Sequence, residues 1–171
     1  LAIYDKEIDV LFGLAPDSPA LVEFRAERQA LREQRDELLP SALAVWKSGV
    51  YGTPFLETFL SNYPDVPEAP AVHLALGEAY ARTARQAGAV GEFLAAWKSD
   101  PEGPSGEAAR RGLRNLAPAL DQLTALAELA EQEQDADLRR LAEERLAGKA
   151  ATYSDIADGA AYIARYPTAA Y

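Results

Sequence analysis

Between residues 70 and 101, large apolar and small side chains recur at helical spacing in two successive blocks. Leu76, Gly77 and Tyr80 fall on one face of a first helix, and Ala89, Phe93 and Ala96 on one face of a second. Small residues at 77 and 89 let two backbones approach, while Tyr80 and Phe93 fill the volume between them. The spacing predicts an antiparallel helix pair over 70–84 and 86–98. Asp100-Pro101 closes it, because proline clashes with the preceding turn and biases its neighbour out of the helical region.

The same period continues on both sides. Ser18-Pro19 is a helix start, with Ser as N-cap and Pro at the first position. It opens a long charged helix whose apolar positions Leu21, Phe24, Leu31 and Leu38 follow a near-heptad spacing interrupted by Arg28 and Arg35. That helix packs along one face or, alternatively, associates with a second copy. Pro40 is expected to kink or end it, with Leu43, Val45 and Trp46 continuing to a Gly49 C-cap. Thr53-Pro54 repeats the start signal for a helix with Phe55, Leu56, Phe59 and Leu60. Asp65-Val-Pro-Glu68 reads as a capping box for the helix carrying Leu76. Further on, Ser105 is expected to cap a helix over 107–116. Pro118 should begin one striped by Leu120, Leu123, Leu126 and Leu129. Asp135 should cap a helix over 136–147 that ends at Gly148, and Thr152-Tyr-Ser-Asp155 should open a last one. A short helical piece is expected around Ile8–Leu14. No segment shows sustained period-two alternation, so the chain reads as all-α.

Three stretches share one ending: FLSNYP (59–64), AWKSDP (96–101) and YIARYP (162–167). Their prolines are spaced by about one and then about two lengths of a helix-pair repeat. Residues 70–101 resemble the tetratricopeptide repeat, with His73 standing where an aromatic is usual. The string around Tyr63, Pro64, Asp65, Pro67, Ala69, Leu76, Gly77 and Tyr80 is similar to repeats of bacterial cell-envelope members, the Tol-Pal coordinator family and the outer-membrane-assembly lipoproteins. The resemblance implies antiparallel helix-turn-helix repeats stacked into a short right-handed α-solenoid. It divides the chain into an N-terminal helical region, 1–50, and repeats over 51–171 with the best-defined one at 70–103, expected to form one continuous domain. It further implies a non-catalytic scaffold of a cell-envelope assembly, periplasmic or envelope-associated, with the cytoplasm left open. The protein partner, a peptide or helix, would lie in the groove formed by the first helices. In the best repeat that groove would present Ala71, Leu74, Glu78, Ala81 and Arg82. The basic-and-Asn carboxylate clamp of chaperone-binding relatives is absent, its positions held by Leu74 and Glu78. An alternative is a helical accessory domain of a larger periplasmic enzyme such as a cell-wall lytic enzyme.

Composition narrows the chemistry. The 171 residues include no Cys and one His, so thiolate ligands, disulfides and multi-histidine sites are out of reach. Met is absent even at position 1, as expected for a segment of a longer product. The net charge of −10 disfavours nucleic acid and anionic membrane surfaces. No apolar run reaches the ~20 residues that span a bilayer. His73 shares the packing helix with Leu76 and Tyr80, and is read as a packing residue. The carboxylates fall on polar faces and caps, and Gly88 and Gly91 lack the Lys-Ser/Thr of a phosphate loop. Arg110, Arg111 and Arg114, with Arg139 and Arg140, read as solvated faces paired with nearby Glu, or else as a docking surface. Five of the eight tyrosines (Tyr51, Tyr63, Tyr153, Tyr166, Tyr171) sit at helix junctions, where a ring packs and its hydroxyl stays wet. No catalytic residue, metal site or cofactor is assigned.

Overall fold

The computed structural model describes residues 19–131, 135–150, 160 and 164. The helix expected around 8–14, the helix after Thr152 and the YIARYP stretch, apart from the helical Ala160 and Ala164, and Ser18, Tyr153, Tyr166 and Tyr171 lie outside the described residues. Those described are helical with short links and no strand. The chain divides into two compact units, 1–52 and 53–171.

The first unit is built on α1, Pro19–Ser48, which continues past Pro40. The helix does not end there. Pro40 and Asp36 are both exposed, so the Asp36 carbonyl that proline leaves unbonded can be hydrated. Gly49 ends the helix in the left-handed region, φ 69°, and its N–H bonds the Trp46 carbonyl at 3.2 Å. Trp46 stacks on Tyr51 with ring centres 4.9 Å apart. Leu38 and Val45, one heptad apart, are 57% and 40% exposed.

The second unit contains α2 (Thr53–Asn62), α3 (Ala69–Arg82), α4 (Gln86–Ser99), α5 (Pro104–Leu116), α6 (Leu123–Ala130) and α7 (Ala136–Ala150). A 3-10 turn, Ala117–Ala119, follows α5. Helices α3 and α4 form a close antiparallel pair: Gly77 meets Phe93 while Tyr80, further along α3, meets Gly88, earlier on α4. The Thr83–Arg85 link is held by the Thr83 hydroxyl, which donates to the Ala79 carbonyl at 3.1 Å, and by the Arg85 N–H on the Tyr80 carbonyl at 3.0 Å. Helix α5 packs on α4 and beside α3, α2 packs on α3, and α6 packs on α7 and α4. Leu56, Phe59, Val72, Leu76, Val90, Phe93, Leu94, Trp97, Leu113, Leu126 and Leu129 form the buried core.

Several helix boundaries differ from the sequence expectation. Glu68 precedes α3 in a helical conformation and makes no side-chain cap, so the capping box does not form. Gly103, not Ser105, precedes α5, and the Ser105 N–H is satisfied at 3.1 Å by the Asp100 carboxylate from the end of α4. Gly106 sits against the Asp100 carbonyl so closely that a Cβ would lie 1.8 Å from it. Helix α6 starts at Leu123 rather than Pro118, and Leu120 is extended and fully buried in the link. Long-range partners replace helical bonds there. The Asp121 N–H donates to Gln86 Oε1 (2.8 Å), Gln86 Nε2 donates to the Ala119 carbonyl (3.1 Å), and Arg145 donates to the Leu120 carbonyl (3.0 Å). Helix α7 passes Gly148 and continues to Ala150. The Asp135 cap forms as expected, its Oδ1 accepting the Leu138 N–H at 3.1 Å.

Candidate functional site

Phe93 organises the region around the candidate groove. A Cβ on Gly77 of α3 would fall 2.7 Å from its ring, and one on Gly112 of α5 would fall 2.9 Å from the same ring. Two helices therefore lie side by side on α4, each turning a glycine to one phenylalanine. Their solvent-facing positions are left on the side away from that ring. On α3 these are Ala71, Leu74 and Ala81, half-buried, and Glu78 and Arg82, exposed. All five share one helix face by the i, i+3, i+4, i+7 rule. On α5 they are Ala108, half-buried, with Arg111 and Asn115 exposed. Among the described residues, Glu78, Arg82 and Arg111 make no ion pair. Sequence reasoning missed the contribution of α5. The signal it could have used is the recurrence of small and apolar residues at matching offsets, Ala69, Val72, Leu76, Tyr80 and then Gly106, Ala109, Leu113, Ala117, all buried.

At the N-terminal end of the α3–α5 pair a cleft of about 580 Å³ opens. Its walls come from the α2–α3 link, with Pro64, Asp65 and Pro67, and from Asp100, Pro104 and Ser105 around the start of α5. The Asp100 carboxylate already occupies the free N–H of Ser105.

His73, on the packing helix, makes a polar bridge. Its Nδ1 lies 2.7 Å from Glu92 Oε2, joining α3 to α4, and both side chains stay partly exposed. Glu57 of α2 accepts from the Tyr80 hydroxyl at 2.5 Å and from Arg85 at 3.2 Å, while the Arg85 guanidinium also stacks 4.0 Å above the Tyr80 ring. The Tyr80 hydroxyl holds the Glu57 carboxyl below its usual range against a smaller opposing effect of burial, with Arg85 adding to it. Burial, then the Glu57 carboxylate, pushes the Tyr80 hydroxyl up to about 12.

The α5 arginines divide by role. Arg111 faces solvent, but Arg114 and Arg110 both donate to Asp135 Oδ2, at 2.7 and 3.3 Å. Asp135 is only 4% exposed. Burial pushes its carboxyl up, but the Leu138 N–H and the two guanidinium groups together outweigh it and hold it below its ordinary value. The stability it contributes is therefore present above the unfolded carboxylate range and lost as pH falls through the folded value. Arg139 and Arg140 pair with Glu143 and Glu144 one turn on, at 3.8 and 3.0 Å, as expected for an exposed face. Among the described residues no group of three His, Cys, Asp or Glu side chains is placed to hold a metal ion, and no helix is long and apolar enough to cross a membrane.

No protein-family model, curated protein or solved structure matches the chain.

Proposed function

We propose that this chain is a non-catalytic protein-interaction module of tetratricopeptide-like helix pairs in a short right-handed solenoid. A partner peptide or helix lies on the outer face of α3, against Ala71, Leu74, Glu78, Ala81 and Arg82, with Arg111 and Asn115 of α5 beside it. The observation that carries this reading is the Phe93 ring of α4, against which α3 and α5 each set a glycine; on this reading α3 and α5 are the first helices of successive pairs, with adjacent outer faces. Small residues leave room for a backbone, Leu74 supplies apolar contact, and Glu78, Arg82 and Arg111 orient the partner through charge. The envelope setting and the periplasmic location rest on the sequence resemblance, as does the alternative of an accessory domain in a larger enzyme. The exposed Leu38 and Val45 favour a further contact on α1, with a second copy as its simplest occupant.

The test begins with a photo-crosslinking residue at position 78, which identifies what lies against α3 in the native envelope fraction. Replacing Leu74 and Arg82 together should then weaken binding of that purified partner at least tenfold with little change in Tm. A double variant that binds like the parent would remove the groove from consideration. Light scattering of purified chain, with and without Leu38→Glu, decides the self-association.

A further inference from the structure

Asp135 is the only buried charged or polar side chain among the described residues, and it is held from two directions. Its Oδ1 caps the first turn of α7, while its Oδ2 takes one N–H from each of Arg110 and Arg114 on α5. A single carboxylate thus serves both as the start of α7 and as the anchor of α5. The surrounding packing makes this anchor important. The close partners of α6 are α7 and α4, and those of α7 are α6 and the 3-10 turn. The link at 117–122, extended at Leu120, joins α6–α7 to the rest of the unit through polar ties: Gln86 to the Ala119 carbonyl and the Asp121 N–H, Gln122 to the Ala87 N–H at 2.9 Å, and Lys149 to Asp121. Helix α6 also packs on α4, with Leu123, Leu126 and Leu129 buried, while α3, α4 and α5 are interlocked around Phe93.

We propose that the α6–α7 pair is a separately releasable element of the fold, and that Asp135 is the latch that fastens it to α5. Burying the Asp135 carboxylate is an inefficient way to add stability, because its desolvation offsets much of the attraction to the partly exposed Arg110 and Arg114, but removing those partners leaves a buried charge uncompensated. Such a device favours one docked arrangement and lets it go as a unit. Elements of low local stability are those from which moving parts are drawn. Breaking the latch frees α6–α7 at the Leu120 link while α3, α4 and α5 stay folded around Phe93.

Hydrogen exchange of the full chain, resolved by peptide, tests this. Asp135→Asn should speed amide exchange across 123–130 and 136–150 at least tenfold, with 69–99 unchanged. The double variant Arg110→Met with Arg114→Met keeps the α7 cap in place and removes only the α5 side, and it should speed the same two segments. Arg140→Ala, which breaks an exposed pair on α7, should change neither. If Asp135→Asn loosens α6–α7 but the double arginine variant does not, Asp135 is a helix cap alone and the latch is refuted. If either variant speeds all helices equally or abolishes the helical signal, the unit is one cooperative body and the proposal is likewise overturned.

Discussion

Gly77→Ala adds one methyl group and puts the packing around Phe93 to a quantitative test. In an exposed helix interior, replacing Gly by Ala would stabilise by about 0.8–1 kcal/mol. Here the new Cβ would stand 2.7 Å from Phe93 Cδ1 and 2.8 Å from Cε1, so the ring must move. The ring has little freedom, since it lies so close to Gly112 that a Cβ there would stand 2.9 Å from it, and Phe93 is 3% exposed. Overpacking a closed core costs about 1–3 kcal/mol. The clash wins over the propensity, and the expected net loss is about 1 kcal/mol. Gly91→Ala is the internal control: it lies in α4, two residues before Phe93, and meets nothing within 4 Å, so it should show the propensity gain alone. In a Phe93→Leu background, which drops the outer ring atoms, Gly77→Ala should change sign and stabilise. Urea unfolding followed by far-ultraviolet circular dichroism gives the cycle. In a Trp46→Phe background, fluorescence of the buried Trp97 reports on α4 directly. A coupling of about 2 kcal/mol between positions 77 and 93 is expected, as the sum of the propensity gain and the net loss. If Gly77→Ala stabilises the parent as much as Gly91→Ala does, the ring does not lie between the glycines and the side-by-side placement of α3 and α5 fails with it.

Tyr80→Phe should destabilise near neutral pH by removing the hydrogen bond to Glu57. Because the folded hydroxyl is raised to about 12 from an ordinary 10, this stability is complete below pH 10 and lost as pH rises through 12, so the gap between parent and variant should close over that range. A gap independent of pH would refute the assignment. His73→Phe tests whether the α3–α4 bridge matters to the pair: the partly exposed Glu92 can be rehydrated, so Tm should shift by only a few degrees, and a collapse of the helical signal would show that the bridge is essential.

The best-defined helix pair was legible because its contacts are local and its residues extreme in size. Leu76, Gly77, Tyr80, Ala89 and Phe93 sit within one helical hairpin, and their periodicity states which faces meet. The face of α3 was legible for the same reason, since the positions left over after the packing stripe are the outer ones. What the chain did not disclose depends on residues far apart in sequence. Leu120 carries the spacing of a helical stripe, yet its link is extended because Gln86 from α4 and Arg145 from α7 claim the backbone groups on either side. Arg110 and Arg114 are indistinguishable by pattern from Arg111 between them, and only the position of the buried Asp135 separates two paired guanidinium groups from one solvated cation. Helical periodicity reports the direction a side chain leaves its own helix, not whether a carboxylate from another element is waiting there. That same distinction gives the two faces of α5 different consequences. A partner seated on Arg111 would bind the helix that Arg110 and Arg114 tie to α7, so occupancy of the outer face and docking of the α6–α7 pair would bear on one rigid element. Any preference of the partner for the docked state must then appear, by reciprocity of linked equilibria, as added protection of 123–130 and 136–150 when it binds. Protection confined to α3 and α5 would mean that the face and the latch are independent.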